Sequence, residues 1–387
     1  MKKLSLVVSS CLLSTSVFAS TIDEAFKNGE VEGSISLYSQ SVKYKKTDSD
    51  TRNYGYGNGN LTLGYTTGDF YGFNLKTEAK GNLKLWEKHK HDRKNNAPFE
   101  NNALITQAYI QYELADVISA KAGRYEGEFE WLSDYQQGAV VEILPIPDTV
   151  VALAYSNRKA ESGIDVSEDF KKANQKAKDG VYLVDIKNNS IEDLTINPYY
   201  YNIKDITSFY GLKLELDNDY FGAIAHYAKS NAKNGAKLID DDDNEQDVKD
   251  GSILHLEATA KIEDFGASLG FIKTRKENGV AGMDLFGDSI NPFEDGEQVY
   301  GENARTIYAG LAYSIAGVDL GLLYGITKYN DGNDKYKEKE LNLGVGYNVT
   351  DNLNVSAMYV NVKNNNKKDD VLENNYNKYI AAVEYSF

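Results

Sequence analysis

Cysteine is all but missing from the 387-residue sequence, and its one copy, Cys11, sits near the amino terminus. A disulfide framework and thiolate metal sites are therefore excluded for everything that follows it. Histidine is scarce too, with His89, His91, His226 and His255 as the whole supply. His89 and His91 flank Lys90, and two ligands are too few for a structural zinc. No Gly-rich phosphate loop stands between a strand and a helix, so no cofactor is implied. Proline occurs 5 times and tryptophan twice. Nothing beyond residue 19 approaches the eighteen or so consecutive apolar residues of a transmembrane helix. Basic charge is in deficit, 42 Lys+Arg against 58 Asp+Glu, which leaves no surplus for phosphates and speaks against nucleic acid as a partner.

What is present points to export. Lys2 and Lys3 precede a mostly apolar, small-residue stretch, Leu4–Phe18, with Val17 and Ala19 at the −3 and −1 positions of a cut before Ser20. This is the pattern of a secretory signal peptide over residues 1–19. Val8-Ser9-Ser10-Cys11 is a fainter lipoprotein-type match with very little apolar sequence before it, and cleavage after Ala19 is favoured. Without Lys2 and Lys3 the chain carries 40 − 58 = −18. A mean hydropathy of −0.51 looks like that of a water-soluble protein. A transmembrane barrel has the same low value, because only alternate residues of each strand meet lipid. The 29 tyrosines fit interfacial girdles, where an apolar ring carries a wet hydroxyl.

The last stretch, Lys378–Phe387, sets the pattern for the others. Tyr379, Ala381, Val383, Tyr385 and Phe387 alternate with Lys378, Ile380, Ala382, Glu384 and Ser386. Period two of this kind is a strand with one apolar face. In a soluble protein it would be a sticky edge, whereas in a closed barrel it seals the wall and turns its apolar face to lipid. Eighteen such runs follow from Val31 onward, among them Val31–Lys43, Gly59–Gly68, Ala103–Leu114 and Asn375–Phe387. Their connections alternate in length. Ala115–Asp116, Pro145–Asp148, Asp264 and Ala316–Gly317 are short, while Glu87–Asn102, Arg158–Asp179, Asn231–Gly251 and Lys276–Asn303 are long. Short periplasmic turns opposite long extracellular loops are a barrel's arrangement, and a β-sandwich has no reason for it. The fold class is therefore all-β, an antiparallel transmembrane β-barrel of eighteen strands over residues 31–387, with sixteen strands as the nearest alternative.

Some segments do not read as wall. A periplasmic lead-in, residues 20–30, places Ile22, Ala25 and Phe26 at helical spacing. Asp165–Lys178 has acidic residues early and lysines late, a composition for a helical turn or two inside its loop. Asp240–Asp243 continues into Asn244, Glu245 and Asp247. It offers oxygen ligands for calcium but lacks the glycine a calcium-hand loop needs at its sixth position, and a solvated charge run is the favoured reading.

In a channel the inward faces carry the chemistry. Taking each apolar face as outward places Lys121, Glu142, Lys213, Glu215, His255, Glu257, Lys261, Glu340 and Glu384 on the lumen side. The opposite choice would cost about 2–4 kcal/mol for a lysine facing lipid at mid-depth. Ala122–Gly138 (AGRYEGEFEWLSDYQQG) gathers Arg124, Glu126, Glu128, Glu130 and Asp134 around Trp131 and Tyr135. Folded inward, such a loop narrows a lumen and focuses a field across it, and its acidic excess favours cations. Arg124 shares the outward parity of Ile118, Ala120 and Ala122, so either a bulge at Gly123 re-aims it or it stands above the bilayer. His226 and His255 fall on neighbouring strands near Asp250 and Ser252. Spacing does not establish a nucleophile–base contact, and no catalytic residue is assigned.

Ile22–Tyr38 (IDEAFKNGEVEGSISLY), Ala122–Tyr125 (AGRY) and Trp131–Gly138 (WLSDYQQG) resemble the Opr-type porins and the major outer membrane proteins of the Campylobacter group. The eighteen-strand plan is similar to the substrate-preferring porins of pseudomonads. This resemblance implies passive uptake of ions and small polar or cationic solutes through a charged constriction. The row of arginines that leads to the constriction in the pseudomonad relatives has no match here. The closing strand, with Tyr379, Val383, Tyr385 and terminal Phe387, resembles the assembly signal of bacterial outer-membrane barrels. It implies the lipid bilayer and the assembly machinery as partners, with a homotrimer left open. The alternative function is a surface adhesin or receptor whose long loops, such as Asn361–Asn377, bind a ligand with little conduction.

Overall fold

In a computed structural model, the structure describes residues 21–47, 52–97, 99–115, 117–239, 243–366 and 375–387. One antiparallel sheet of 18 strands takes up nearly all regular structure, each strand paired with its neighbours in sequence. The first strand, Glu30–Tyr44, pairs with the last, Asn375–Ser386, in a register running from Ser34↔Ser386 to Tyr44↔Tyr376. The sheet is thus a closed barrel with no free edge, the condition for crossing a bilayer with strands. The wall alternates as the sequence does. On Thr207–Asp217, Tyr210, Leu212 and Leu214 stand exposed on the outside, while Thr207 and Phe209 are buried inside.

Tight turns close one end. Several take left-handed residues where two-residue hairpins demand them, such as Glu263 (φ 50°), and Ala316 and Gly317 (φ 51° and 80°). The long connections gather at the other end, although two there are also tight, residues 204–206 and 332–333.

Two expectations change. Ala103–Leu114 is one strand, but its alternation is not continuous from end to end. Glu78 pairs with Gln107 and Ala79 with Ile105, so Thr106 is a bulge. The bulge reverses parity, so that Leu104 and Thr106 are buried inside while Ile110 and Leu114 are exposed outside. Asp165–Lys178 forms no helix. It runs irregularly, with bends, and is tied by isolated bridges Lys159↔Lys171, Ser162↔Ser167 and Phe99↔Ser167. Asp240–Asp242 of the acidic run lies outside the described residues; Glu245–Asp247 pairs with Lys237–Ile239 as a small hairpin.

Candidate pore constriction

Three connections from the long-loop end fold into the barrel. The largest, residues 275–301, leaves the strand Phe265–Thr274 and returns to Glu302–Ile315. Apolar residues drive it inward. Val280, Met283, Phe286, Ile290, Phe293 and Val299 join a buried cluster with Trp131 and Leu132 of a second loop (residues 127–134) and with wall residues such as Tyr201, Phe209 and Ile253. At one end Gln136 Nε2 donates to the Phe286 carbonyl (3.0 Å). The tip then reaches the opposite wall. Glu340 accepts backbone N–H bonds from Asp295 (3.1 Å) and Gly296 (2.8 Å), and Glu338 accepts one from Gln298 (3.3 Å). Lys378 Nζ lies 2.8 Å from Asp295 and 3.2 Å from Glu294, and the Tyr376 hydroxyl donates to Asp295 (2.7 Å). The loop is therefore a strap across the lumen, fixed at both ends.

The third infolded connection, residues 161–180, runs toward the wall formed by Tyr54–Thr66 and Phe73–Glu87. Lys80 extends inward and donates to Ser162 Oγ (3.2 Å), the Val166 carbonyl (2.9 Å) and the Gly163 carbonyl. Asn60 Nδ2 donates to the Ile164 carbonyl (2.9 Å). A buried lysine spent on three carbonyl and hydroxyl oxygens is an anchor for backbone, satisfying groups that would otherwise be stranded.

Between the two straps lies a cavity of about 400 Å³. Glu161 and Asp165 line it from one strap, Asp295 and Glu297 from the other, and Gln40, Tyr44, Tyr54, Tyr376 and Lys378 from the wall. Four carboxylates thus face one ammonium, itself paired with the strap. Enclosure pushes the Glu161 carboxyl up to about 7, reinforced by the neighbouring Asp134, Glu168 and Asp165 carboxylates. A second cavity, about 590 Å³, opens toward the tight turns beneath the 127–134 loop, lined by Glu128, Glu130, Lys187, Lys213, Glu215 and Asp217 among others.

A family model described as "Putative outer membrane protein" matches residues 12–368. The chain belongs to that family. This outer-membrane protein has the architecture of solved porins. It is similar to OccK3 (OpdO) of Pseudomonas aeruginosa, at 14% identity over 94% of this chain and 97% of that one, with a TM-score of 0.71. It is similar to OccAB2 of Acinetobacter baumannii, at 15% identity over 94% and 99%, with a TM-score of 0.74. OpdQ of P. aeruginosa gives 15%, 94%, 99% and 0.71. At such identities the likeness is one of fold. No curated protein matches the chain.

Within this outer-membrane protein the residues singled out by sequence separate into groups. Glu130 is at the centre of a buried network. Lys213 Nζ lies 2.6 Å from it and 3.1 Å from Glu215, and Ser289 donates to its other oxygen. Burial alone would raise the Glu130 carboxyl, but the Lys213 ammonium, then His226, and the bonds from Lys213 and Ser289 hold it well below the usual range. The indole of Trp131 donates to the Tyr199 hydroxyl (2.8 Å), which also shares a hydrogen bond with His226 Nε2 (2.6 Å). Nδ1 of that imidazole faces Glu130 at 3.9 Å. This loop is a packed plug wedged on charge, and of its acidic residues Glu128 is the one exposed to the lower cavity. Asp134 adopts a left-handed φ of 57° at the turn back into the wall, and burial raises its carboxyl. Glu126 is exposed at the end of its strand.

Arg124 is not beside these groups. Pairing between Ala103–Leu114 and Ile118–Glu126 ends at Ala108↔Arg124, and no register shift at Gly123 re-aims the side chain. Its guanidinium donates to the Ile105 carbonyl (3.1 Å) and lies 4.3 Å over the Phe170 ring, closing the gap where the strands part. Among the inward residues, Glu340 holds strap backbone. Glu257 accepts from the Tyr308 hydroxyl, which accepts in turn from His255 Nε2 (2.8 Å). Lys121 lies 5.4 Å over the Tyr109 ring, and Lys261 pairs with Asp217 at the tight-turn end. Glu142 and Glu384 are half-buried on the inner face, paired across the sheet with Ser119 and Ser36. The terminal residue is fixed by reciprocal backbone bonds between Phe387 and Gly33 (2.9 Å each), with Tyr385 stacked beside it.

Asp295, Glu297, Glu161, Asp165 and Lys378 are not among the residues that the sequence pattern marks as lining a passage. A signal for the first pair was present, since 275–301 is the longest connection and carries Ile290, Phe293 and Val299, apolar residues that a solvated loop would not bury.

Proposed function

We propose that this protein is a passive, water-filled channel that favours cations and small polar solutes with a cationic end. The observation that carries the reading is the cavity between the straps, where Glu161, Asp165, Asp295 and Glu297 face Lys378. Fixed carboxylates in a narrow, protein-walled passage concentrate counter-ions and repel anions. The apolar cluster packs around the 127–134 loop, whereas the cavity between the straps is lined by the first and last strands, and the route of this reading runs there. Catalysis has no part in this reading: His226 and His255, the two histidines of the wall, are engaged with Tyr199 and Tyr308.

The same reading includes cleavage after Ala19, delivery by the assembly machinery that reads the closing strand, and kinship with the Campylobacter-group major outer membrane proteins, supported by the short motifs quoted above. The test is single-channel recording of the purified protein in a planar bilayer under a salt gradient. Ohmic steps with a reversal potential on the cation side are expected, grouped in threes for a trimer. A folded barrel that stays silent would replace the channel reading with that of an adhesin.

A further inference from the structure

Outside the barrel, the helix Ile22–Lys27 lies where no transport function uses it. Thr21 caps it, its Oγ1 accepting from the Glu24 N–H at 3.2 Å. Six residues are too few for a helix to persist alone, so tertiary contacts must hold it. Ala25 is buried, and its carbonyl accepts from the Gly68 N–H (2.9 Å) in the adjacent tight turn. The Tyr65 hydroxyl donates to the Phe26 carbonyl, and the two rings stack with centroids 6.5 Å apart and planes at 16°. Tyr65 shares the outward row of its strand with Leu61 and Leu63, and its register partner is Val31, also exposed outside. The helix therefore docks on the face of the wall that meets lipid.

Two large apolar side chains remain uncovered on it, Ile22 (59% exposed) and Phe26 (52% exposed). Four residues apart, they share one helical face, while Asp23 and Lys27 share another. That apolar face continues the outward surface formed by Val31, Leu63 and, on the neighbouring turn, Tyr71. We propose that this helix is an interfacial anchor, seated with Ile22 and Phe26 among the headgroups and upper acyl chains of the phospholipid leaflet at the tight-turn end. Lipid is the occupant because the face is continuous with the barrel's lipid-facing belt, and because ring-bearing amphipathic segments lie at that depth.

The test is Phe26→Trp in the full-length protein purified from outer membranes and reconstituted in phosphatidylcholine vesicles, read as the added emission over the Trp86 and Trp131 background. Blue-shifted emission, reduced at least about twofold by lipid carrying a shallow doxyl group and little affected by aqueous iodide, is expected. Conductance should be unchanged. Red-shifted emission quenched by iodide would overturn the proposal by placing the helix in water. Blue-shifted emission insensitive to doxyl lipid at every depth would overturn it in favour of a protein cover, such as a second copy of the chain. Should Phe26→Trp fail to fold, Ile22→Trp reads the same face.

Discussion

Replacing Glu340 by glutamine tests whether the 275–301 strap is a fixed constriction or a loop that happens to rest in the lumen. In the native protein both carboxylate oxygens of Glu340 are used, one on the Asp295 N–H and the other on the Gly296 N–H. Glutamine keeps one acceptor oxygen and turns an NH2 group toward the other amide, so one bond is lost and two donors face each other. A hydrogen bond to a charged group contributes about 1.5–3 kcal/mol, which shifts the docking equilibrium of the tip roughly tenfold to a hundredfold. Lys378, Tyr376 and Glu338 still hold Asp295, Glu294 and Gln298, so the tip stays docked most of the time and opens transiently. The expected record in a planar bilayer is excess open-channel noise with brief larger-conductance excursions and a lower cation preference, because Asp295 and Glu297 leave the passage during each excursion. A Glu340→Gln channel with the parent's noise spectrum and reversal potential would refute the strap.

Lys378→Met should move the reversal potential toward stronger cation preference, the opposite sign to Glu340→Gln, because it removes the ammonium from a cavity that otherwise holds four carboxylates while Glu340, Glu338 and Tyr376 keep the tip docked. Glu161, with its carboxyl pushed up to about 7, is largely protonated at pH 6 and largely ionised at pH 8. Cation preference should therefore rise with pH across that range, and Glu161→Gln should flatten the curve; a step that survives the substitution assigns it elsewhere. By linkage, the folded protein holds this proton above the ordinary carboxylate pKa of 4.5, so stability should decline as pH rises from about 4.5 to 7. Gly270→Ala would drive a Cβ into the Tyr308 ring, which lies across that glycine to reach His255 and Glu257. It should cost about 1–3 kcal/mol in urea unfolding.

The barrel was legible because its signals are local and repeat. Alternation along a strand, the split between short and long connections, and an aromatic closing strand each survive without knowing what touches what. The site was legible only in kind. Charge inside the lumen followed from alternation, but Thr106 reversed the parity of one strand, and a bulge leaves little mark on hydropathy. Arg124 looked like a constriction residue from its company in sequence, yet three-dimensional company decided otherwise: Phe170, 46 positions on, lies under its guanidinium. The strap was missed for the same reason. Lys378 and Asp295 are 83 residues apart, and nothing in either neighbourhood names the other.

Glu130 marks the division between charges that shape the passage and charges that shape the protein. Its side chain is 10% exposed and that of Lys213 20%, so the pair is desolvated on both sides. Removing one partner of a buried pair typically costs about 3–5 kcal/mol, since the other charge is left behind, while removing both can be nearly neutral. Glu130→Gln leaves Lys213 with Glu215 at 3.1 Å, which should bring the loss to the low end, near 3 kcal/mol. The double variant Glu130→Gln with Lys213→Met should recover most of it. Glu128→Gln, on the exposed side of the same loop, should leave stability alone and lower cation preference slightly through the lower cavity. Urea unfolding and reversal potential, measured on all three, separate the roles. If Glu130→Gln alone changed selectivity with no loss of stability, the 127–134 loop would be a pore-lining element and not a wedged plug.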